Sequence, residues 1–213
     1  MSSTKVVKLL GSLLLLIGCI SSGTSLKGVE PEAYIHYYKA HQEEFKKVQS
    51  NGVAVYSFAY LPKELMLIQA IKNKQLTNDE VTNWMKEKET EFTFLLQVSI
   101  PQNGTKEFLK FEKDTTSYEE RLLYYAFQFQ NDLQLFKDNS EKLPITSFHF
   151  ERNYGSSPIG TFTFTCRKPK KFKSIQLRMN DKVYGSSTAI SMVLEGEKIK
   201  ALPTLLPMYK WKK

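Results

Sequence analysis

Few side chains in this sequence could carry out covalent chemistry, for histidine occurs three times and cysteine twice in 213 residues. His149 and Cys166 are the one pair that invites a nucleophilic dyad, with the imidazole taking the thiol proton. Alternation argues against it. Phe148 and Phe150 mark the inward parity of one strand-like run, so His149 points outward, whereas Cys166 shares the inward parity of Phe162 and Phe164. Facing residues of a hairpin lie on one side of a sheet, so the thiol is expected inside, as an inert core residue, and the imidazole outside. His36 and His41 stand about 140° apart on a helix and cannot share a metal as an i, i+4 pair would. Neighbouring acids such as Glu43/Glu44 and Glu119/Glu120 diverge, and Glu89 and Glu91 read as a lead into a strand. Gly155-Ser156-Ser157-Pro158 has the outline of a nucleophile elbow, but it joins two antiparallel runs and no helix follows. No catalytic residue and no metal site is expected, and the chain reads as a non-enzyme.

Two groups of residues could bind rather than react. Arg167, Lys168, Lys170, Lys171 and Lys173 crowd five cations around Pro169, a turn that could dock on an anionic lipid surface at about 1 kcal/mol per cation. The plainer expectation is a solvated turn whose lysines guard a sheet edge. Tyr34, Tyr38, Tyr56 and Tyr60 gather on the first helix and strand, where they could line a groove for a sugar or lipid. Core packing with hydroxyls reaching outward is the blander alternative.

The elements that must position these residues are legible in outline. Pro31 suits a first helical turn, and the apolar spacing of Tyr34, Tyr38, His41, Phe45 and Val48 predicts one helix from Pro31 to a cap at Asn51-Gly52. Val53–Tyr60 is β-branched and aromatic, a buried strand. A second helix follows Pro62, and Thr77 with Glu80 makes a capping box for a third. From Glu91 the apolar period becomes two. Asn103-Gly104 predicts a hairpin that pairs Leu96 with Phe111 and Val98 with Leu109. Further strand-like runs cover 122–130, 133–136, 145–152, 161–167, 172–179 and 189–195. The expected class is α+β, mainly antiparallel β in a sandwich of about eight or nine strands, with two or three N-terminal helices. Residues 202–213 read as a surface tail ending in Lys210-Trp211-Lys212-Lys213.

The amino-terminal stretch carries the clearest signal. Lys5 and Lys8 precede an apolar run from Leu9 to Ile17 that is too short to span a bilayer, and the run closes on Leu16-Ile17-Gly18-Cys19. That ending resembles the lipobox of bacterial lipoproteins. The resemblance implies cleavage before Cys19, diacylglycerol on its sulfur and an N-acyl chain such as palmitate, with no other cofactor. On this reading residues 1–18 are the signal peptide, 19–29 the lipidated cysteine and a Ser/Gly-rich tether, and 30–213 one globular domain. With Cys19 acylated, Cys166 has no disulfide partner.

Localisation and partners follow from the same expectation. The chain is placed in the cell envelope, held to the membrane by lipid, facing the periplasm from the outer membrane if the host is Gram-negative. Loss of Lys5 and Lys8 with the leader lowers the net charge from +8 to +6 (28 − 22). The anionic partners expected there are lipid head groups, lipopolysaccharide or acidic glycans, and nucleic acid is not expected. The plainer reading is a basic surface that keeps the protein soluble. The function expected is that of a binding or accessory component of an envelope assembly with a protein partner. Carriage or sensing of an apolar ligand, lipid or lipoprotein, is the first alternative. Hydrolysis of envelope glycans or peptides is the second.

Overall fold

The computed structural model describes residues 28–73, 76–104, 106–110, 116–152, 157–185 and 189–207. Cys19, the Gly155-Ser156 step and Lys210-Trp211-Lys212-Lys213 lie outside them. Among the described residues, two antiparallel sheets hold nine strands. The first has the order β1 (Lys46–Ser50), β2 (Val55–Leu61), β3 (Glu91–Ser99), β7 (Ile159–Arg167), β6 (Ile145–Glu151). The second has the order β5 (Glu141–Leu143), β4 (Leu133–Lys137), β8 (Ser174–Met179), β9 (Ile190–Glu195). Helices α1 (Pro31–Ala40), α2 (Gln42–Phe45), α3 (Lys63–Asn73) and α4 (Asn78–Lys88) precede β3, while α5 (Tyr118–Leu123) and α6 (Gly196–Ala201) come later. The fold is the expected α+β sandwich.

The core follows from alternation along β3, which is paired on both flanks. Phe94 stands between Tyr60 and Phe164, Leu96 between Phe58 and Phe162, and Val98 between Tyr56 and Gly160. The inward residues of the first sheet join Leu135, Leu177, Met192 and Leu194 of the second in one apolar cluster. Phe162 is its hub, with ring centroids of Phe150 at 4.9 Å, Phe129 at 5.0 Å, Tyr125 at 5.5 Å and Phe148 at 5.9 Å. Gly160 lets Phe108 lie flat on β7, because a Cβ there would come within 2.5 Å of that ring.

Four expectations are corrected. The first helix ends at Ala40 and, after the short α2, Lys46–Ser50 pairs antiparallel with β2. Val48, assigned to a helical apolar stripe, is 56% exposed on that edge strand. The Asn103-Gly104 hairpin does not form. Pro101–Asn103 is a 3₁₀ turn ending at Gly104 (φ 60°), and the partners of Leu96 and Val98 come from β2 and β7. Phe111 lies outside the described residues, and Leu109 is buried. The run 122–130 is helical, with α5 continuing through a π-turn (Tyr124–Gln128) and a 3₁₀ turn (Phe129–Asp132). Finally, residues 202–206 are no loose tail. Leu202 and Pro203 are buried, and Leu205 forms a parallel bridge with Val29, whose N–H donates to the Thr204 carbonyl at 2.9 Å.

Phe162→Ala should therefore lower stability by about 3–5 kcal/mol, as for a fully buried aromatic whose cavity cannot collapse. Urea denaturation with an unchanged m-value checks it.

Candidate functional site

The two ends of the sandwich treat buried acid in opposite ways. At one end, Asp181 follows β8 and is 2% exposed. Its Oδ1 accepts the backbone N–H groups of Val183 (2.9 Å) and Tyr184 (3.1 Å). Its Oδ2 accepts the hydroxyls of Tyr56 (3.0 Å) and Tyr125 (2.8 Å). Tyr184 in turn donates to the Phe108 carbonyl at 2.8 Å, and Asn51 Nδ2 donates to the Tyr184 carbonyl at 2.8 Å. Burial raises the Asp181 pKa, and the four donors pull it back. This network ties the β1–β2 turn, the π-turn and the loop after β8 into one rigid corner.

The other end holds a pocket of about 300 Å³. Its apolar wall is Tyr60 from β2, Phe92 from β3, Phe172 from the β7–β8 turn, and Ile199 and Leu202 from α6 and beyond. Lys63 and Glu64 enter from the first turn of α3, and Lys88, Glu89 and Glu91 from the step between α4 and β3. Most of the charge is matched. Glu89 pairs with Lys63 and, at 3.2 Å, with Lys168, and Lys88 reaches Glu91 at 2.9 Å. The Lys63 and Lys168 ammoniums hold the Glu89 carboxyl below its usual range, with the Lys63 hydrogen bond the largest cause. Lys200 lies 4.5 Å from the Phe172 ring centroid and donates to the Phe172 carbonyl at 2.6 Å.

Glu64 is the exception. It is 7% exposed and lines the pocket, and a backbone hydrogen bond together with the Lys63 charge is what steadies its carboxylate. Burial raises its pKa, and the nearby Lys63 charge opposes this in part. Behind it the Tyr34 hydroxyl is fully buried, and its pKa is pushed up by burial and then by the Glu64 charge. A buried carboxyl with a raised pKa on the wall of a cleft is a candidate for a working site.

The predicted site residues distribute as follows. Arg167, Lys168, Lys170, Lys171 and Lys173 are all exposed on the β7–β8 turn. Arg167, Lys168 and Lys170 line a shallow depression of about 560 Å³ that shares Glu89 and Lys168 with the pocket. Phe172, within the same turn, points inward and closes the pocket wall. The four tyrosines do not form a groove. Tyr34 and Tyr56 are fully buried, and Tyr38 is half-buried with its hydroxyl donating to the Tyr60 carbonyl at 2.8 Å. Tyr60 alone reaches the pocket. His41 caps α1, stacks on Tyr37 at 4.1 Å and donates from Nδ1 to the Tyr37 carbonyl at 2.8 Å, while His36 is exposed. His149 faces outward and Cys166 inward on neighbouring strands. Burial raises the thiol pKa to about 12. Glu64 escaped sequence reading because a glutamate in a first helical turn ordinarily sits at the surface, favoured by the helix dipole.

Among the described residues no three His, Cys, Asp or Glu side chains converge to hold a metal ion, and no helix is long and apolar enough to cross a membrane.

Three outcomes follow. Asp181→Asn keeps the shape but gives two hydroxyl donors an amide to face, and should cost about 1–3 kcal/mol in urea denaturation. Maleimide should leave residue 166 unmodified in the native protein and label it fully in denaturant, as read by peptide mapping. Because the folded pKa of Glu64 is raised, the native state holds this proton more tightly than the unfolded chain. Stability therefore falls as pH rises from about 4.5. Glu64→Gln lacks this slope, so its stability relative to the parent should grow between pH 4.5 and 8 and converge on it below pH 4.

Searches against protein-family models, curated proteins and solved structures gave no match for this chain, so the reading of the site rests on its own geometry.

Proposed function

We propose that the chain is a lipid-anchored lipoprotein of the cell envelope that works by binding, as an accessory subunit of an envelope assembly, and not by covalent catalysis. The observation that carries this reading is Leu16-Ile17-Gly18-Cys19 at the close of a short apolar run behind two lysines. In this reading the sulfur of Cys19 bears diacylglycerol, its amino group bears a fatty acyl chain, and the domain faces the periplasm when the host is Gram-negative.

The disposition of the domain supports the same view. Cys19 lies nine residues before Gly28, a reach of at most about 30 Å. The Gly28 N–H donates to Thr204 Oγ1 at 3.2 Å, and Thr204 lines the pocket. The anchor would thus leave the domain at the end that also carries the pocket and the five exposed cations of the β7–β8 turn. Several lysines close to an anionic surface add about 1 kcal/mol each to membrane attachment. One acyl-anchored end facing lipid and one rigid end facing away is an arrangement for holding a partner near a bilayer.

Metabolic labelling with palmitate should mark the protein, and Cys19→Ser should abolish the label and move the protein from the membrane to the soluble fraction or leave it unprocessed. A mature protein that begins beyond residue 19 and carries no acyl chain overturns the proposal.

A further inference from the structure

The sheets end in four edge strands, and they are not left alike. β1 and β9 stand side by side, where Gln49 Oε1 accepts the Ser191 N–H at 3.0 Å. β5 is only three residues long. β6 has seven residues, and among the described residues no strand pairs with its outer side. An open edge of that length is a template for another strand, and a protein that stays alone ordinarily guards it with lysine or proline. Within Ile145–Glu151 there is neither. Cations are missing around it as well. The chain has 30 lysines and arginines, yet none falls in residues 122–136 or 143–151. These two runs pack together, with Tyr125 6.2 Å from Phe150 and Phe129 6.4 Å from Phe148 between ring centroids. The first run also leaves Leu123 53% and Phe127 67% exposed. On a molecule of net charge +8, this is the region where a second copy meets little repulsion.

We infer that β6 pairs antiparallel with β6 of a second copy, about a two-fold axis through His149, joining two five-stranded sheets into one. A strand related to itself by an axis normal to the sheet places one residue opposite its own copy. With His149 there, Phe148 of each copy faces Phe150 of the other, and Ser147 faces Glu151. An axis at Phe148 would set Phe150 against Thr146, and one at Phe150 would set Phe148 against Arg152. Only the His149 axis matches aromatic with aromatic, the cross-strand pairing that stabilises a sheet. The stretch it uses, residues 147–151, is the part of β6 in regular register with β7, beyond the irregularity between Ile145 and Ser147. His149 is exposed on the outer face of that stretch. The contact closes on itself, because each copy offers one such edge and the pairing consumes it. It needs no lipid anchor.

The test runs the full chain, purified in maltoside micelles, through size-exclusion chromatography with light scattering, the detergent mass being subtracted. The parent should shift from monomer to dimer as concentration rises. His149→Lys and His149→Glu each set like charges face to face across the axis, and each should weaken dimerisation at least about tenfold while keeping the parent's far-UV circular dichroism. Mixing the two variants should restore dimers that contain one of each. Val48→Lys, which adds the same charge to the exposed side of β1, should dimerise as the parent does. A parent that stays monomeric at every concentration, a dimer indifferent to both charges at residue 149, or variants that fail to recombine each overturn the inference. So does a loss of dimers in Val48→Lys equal to that in His149→Lys. Palmitate labelling of Cys19 scores the lipoprotein reading separately. An acylated monomer refutes only the pairing, and a dimer without acyl chains refutes only the anchor.

Discussion

The molecule depends on β3 being hydrogen-bonded along both edges. A strand with two partners has no free backbone to offer solvent, so its side chains must settle the face question completely. Phe92, Phe94, Leu96 and Val98 take the inward face and draw Phe162, Phe164 and Cys166 of β7 in with them. A slip of one residue would send all of them outward. The same register fixes the far ends of the strand. Glu91 opposite Arg167 and Phe92 opposite Cys166 place the start of β3 beside the β7–β8 turn, and that juxtaposition makes the pocket.

This constraint explains what was legible in the sequence. Alternation is complete in β7 and holds in β3 from Phe94 and in β6 beyond the irregularity between Ile145 and Ser147, because one face is core, so the separation of His149 from Cys166 could be read from parity alone. The Thr77–Glu80 capping box also forms as written, with both reciprocal hydrogen bonds. What failed were local signals overruled by partners far away in the chain. Asn103-Gly104 is a strong turn, but a hairpin needs a free strand edge, and both edges of β3 were already taken. Lys46–Ser50 fits a helical stripe as well as a strand, and β2, with one side unpaired, decided for the strand. The aromatic run 122–130 has β propensity yet winds into a π-turn, because that extra residue per turn brings Tyr124, Tyr125 and Phe129 inward together.

The basic turn was recognised by composition, but its role as a pocket wall was not. Only Phe172 in it is buried, and one aromatic among cations gives no periodic signal. The tyrosines were recognised as a group and then split by topology. Tyr56 went to the Asp181 corner, Tyr34 to the back of Glu64, and Tyr60 to the pocket wall. Long-range pairing assigned each of them, and no local pattern carries that information.

Asp181 and Glu64 together make the strongest argument that the second end is built for something. Both are nearly inaccessible carboxyls on the same small domain. Asp181 is surrounded by four donors drawn from Tyr56, Tyr125, Val183 and Tyr184, which is how a protein makes a buried acid tolerable for structural purposes. Glu64 has a sparser setting, in which a backbone hydrogen bond and the Lys63 charge oppose the rise in pKa that burial causes. It also lies on the wall of a pocket, whereas Asp181 is closed into a corner. One carboxyl is built into the scaffold, and only the other stands where a molecule entering from outside would meet it.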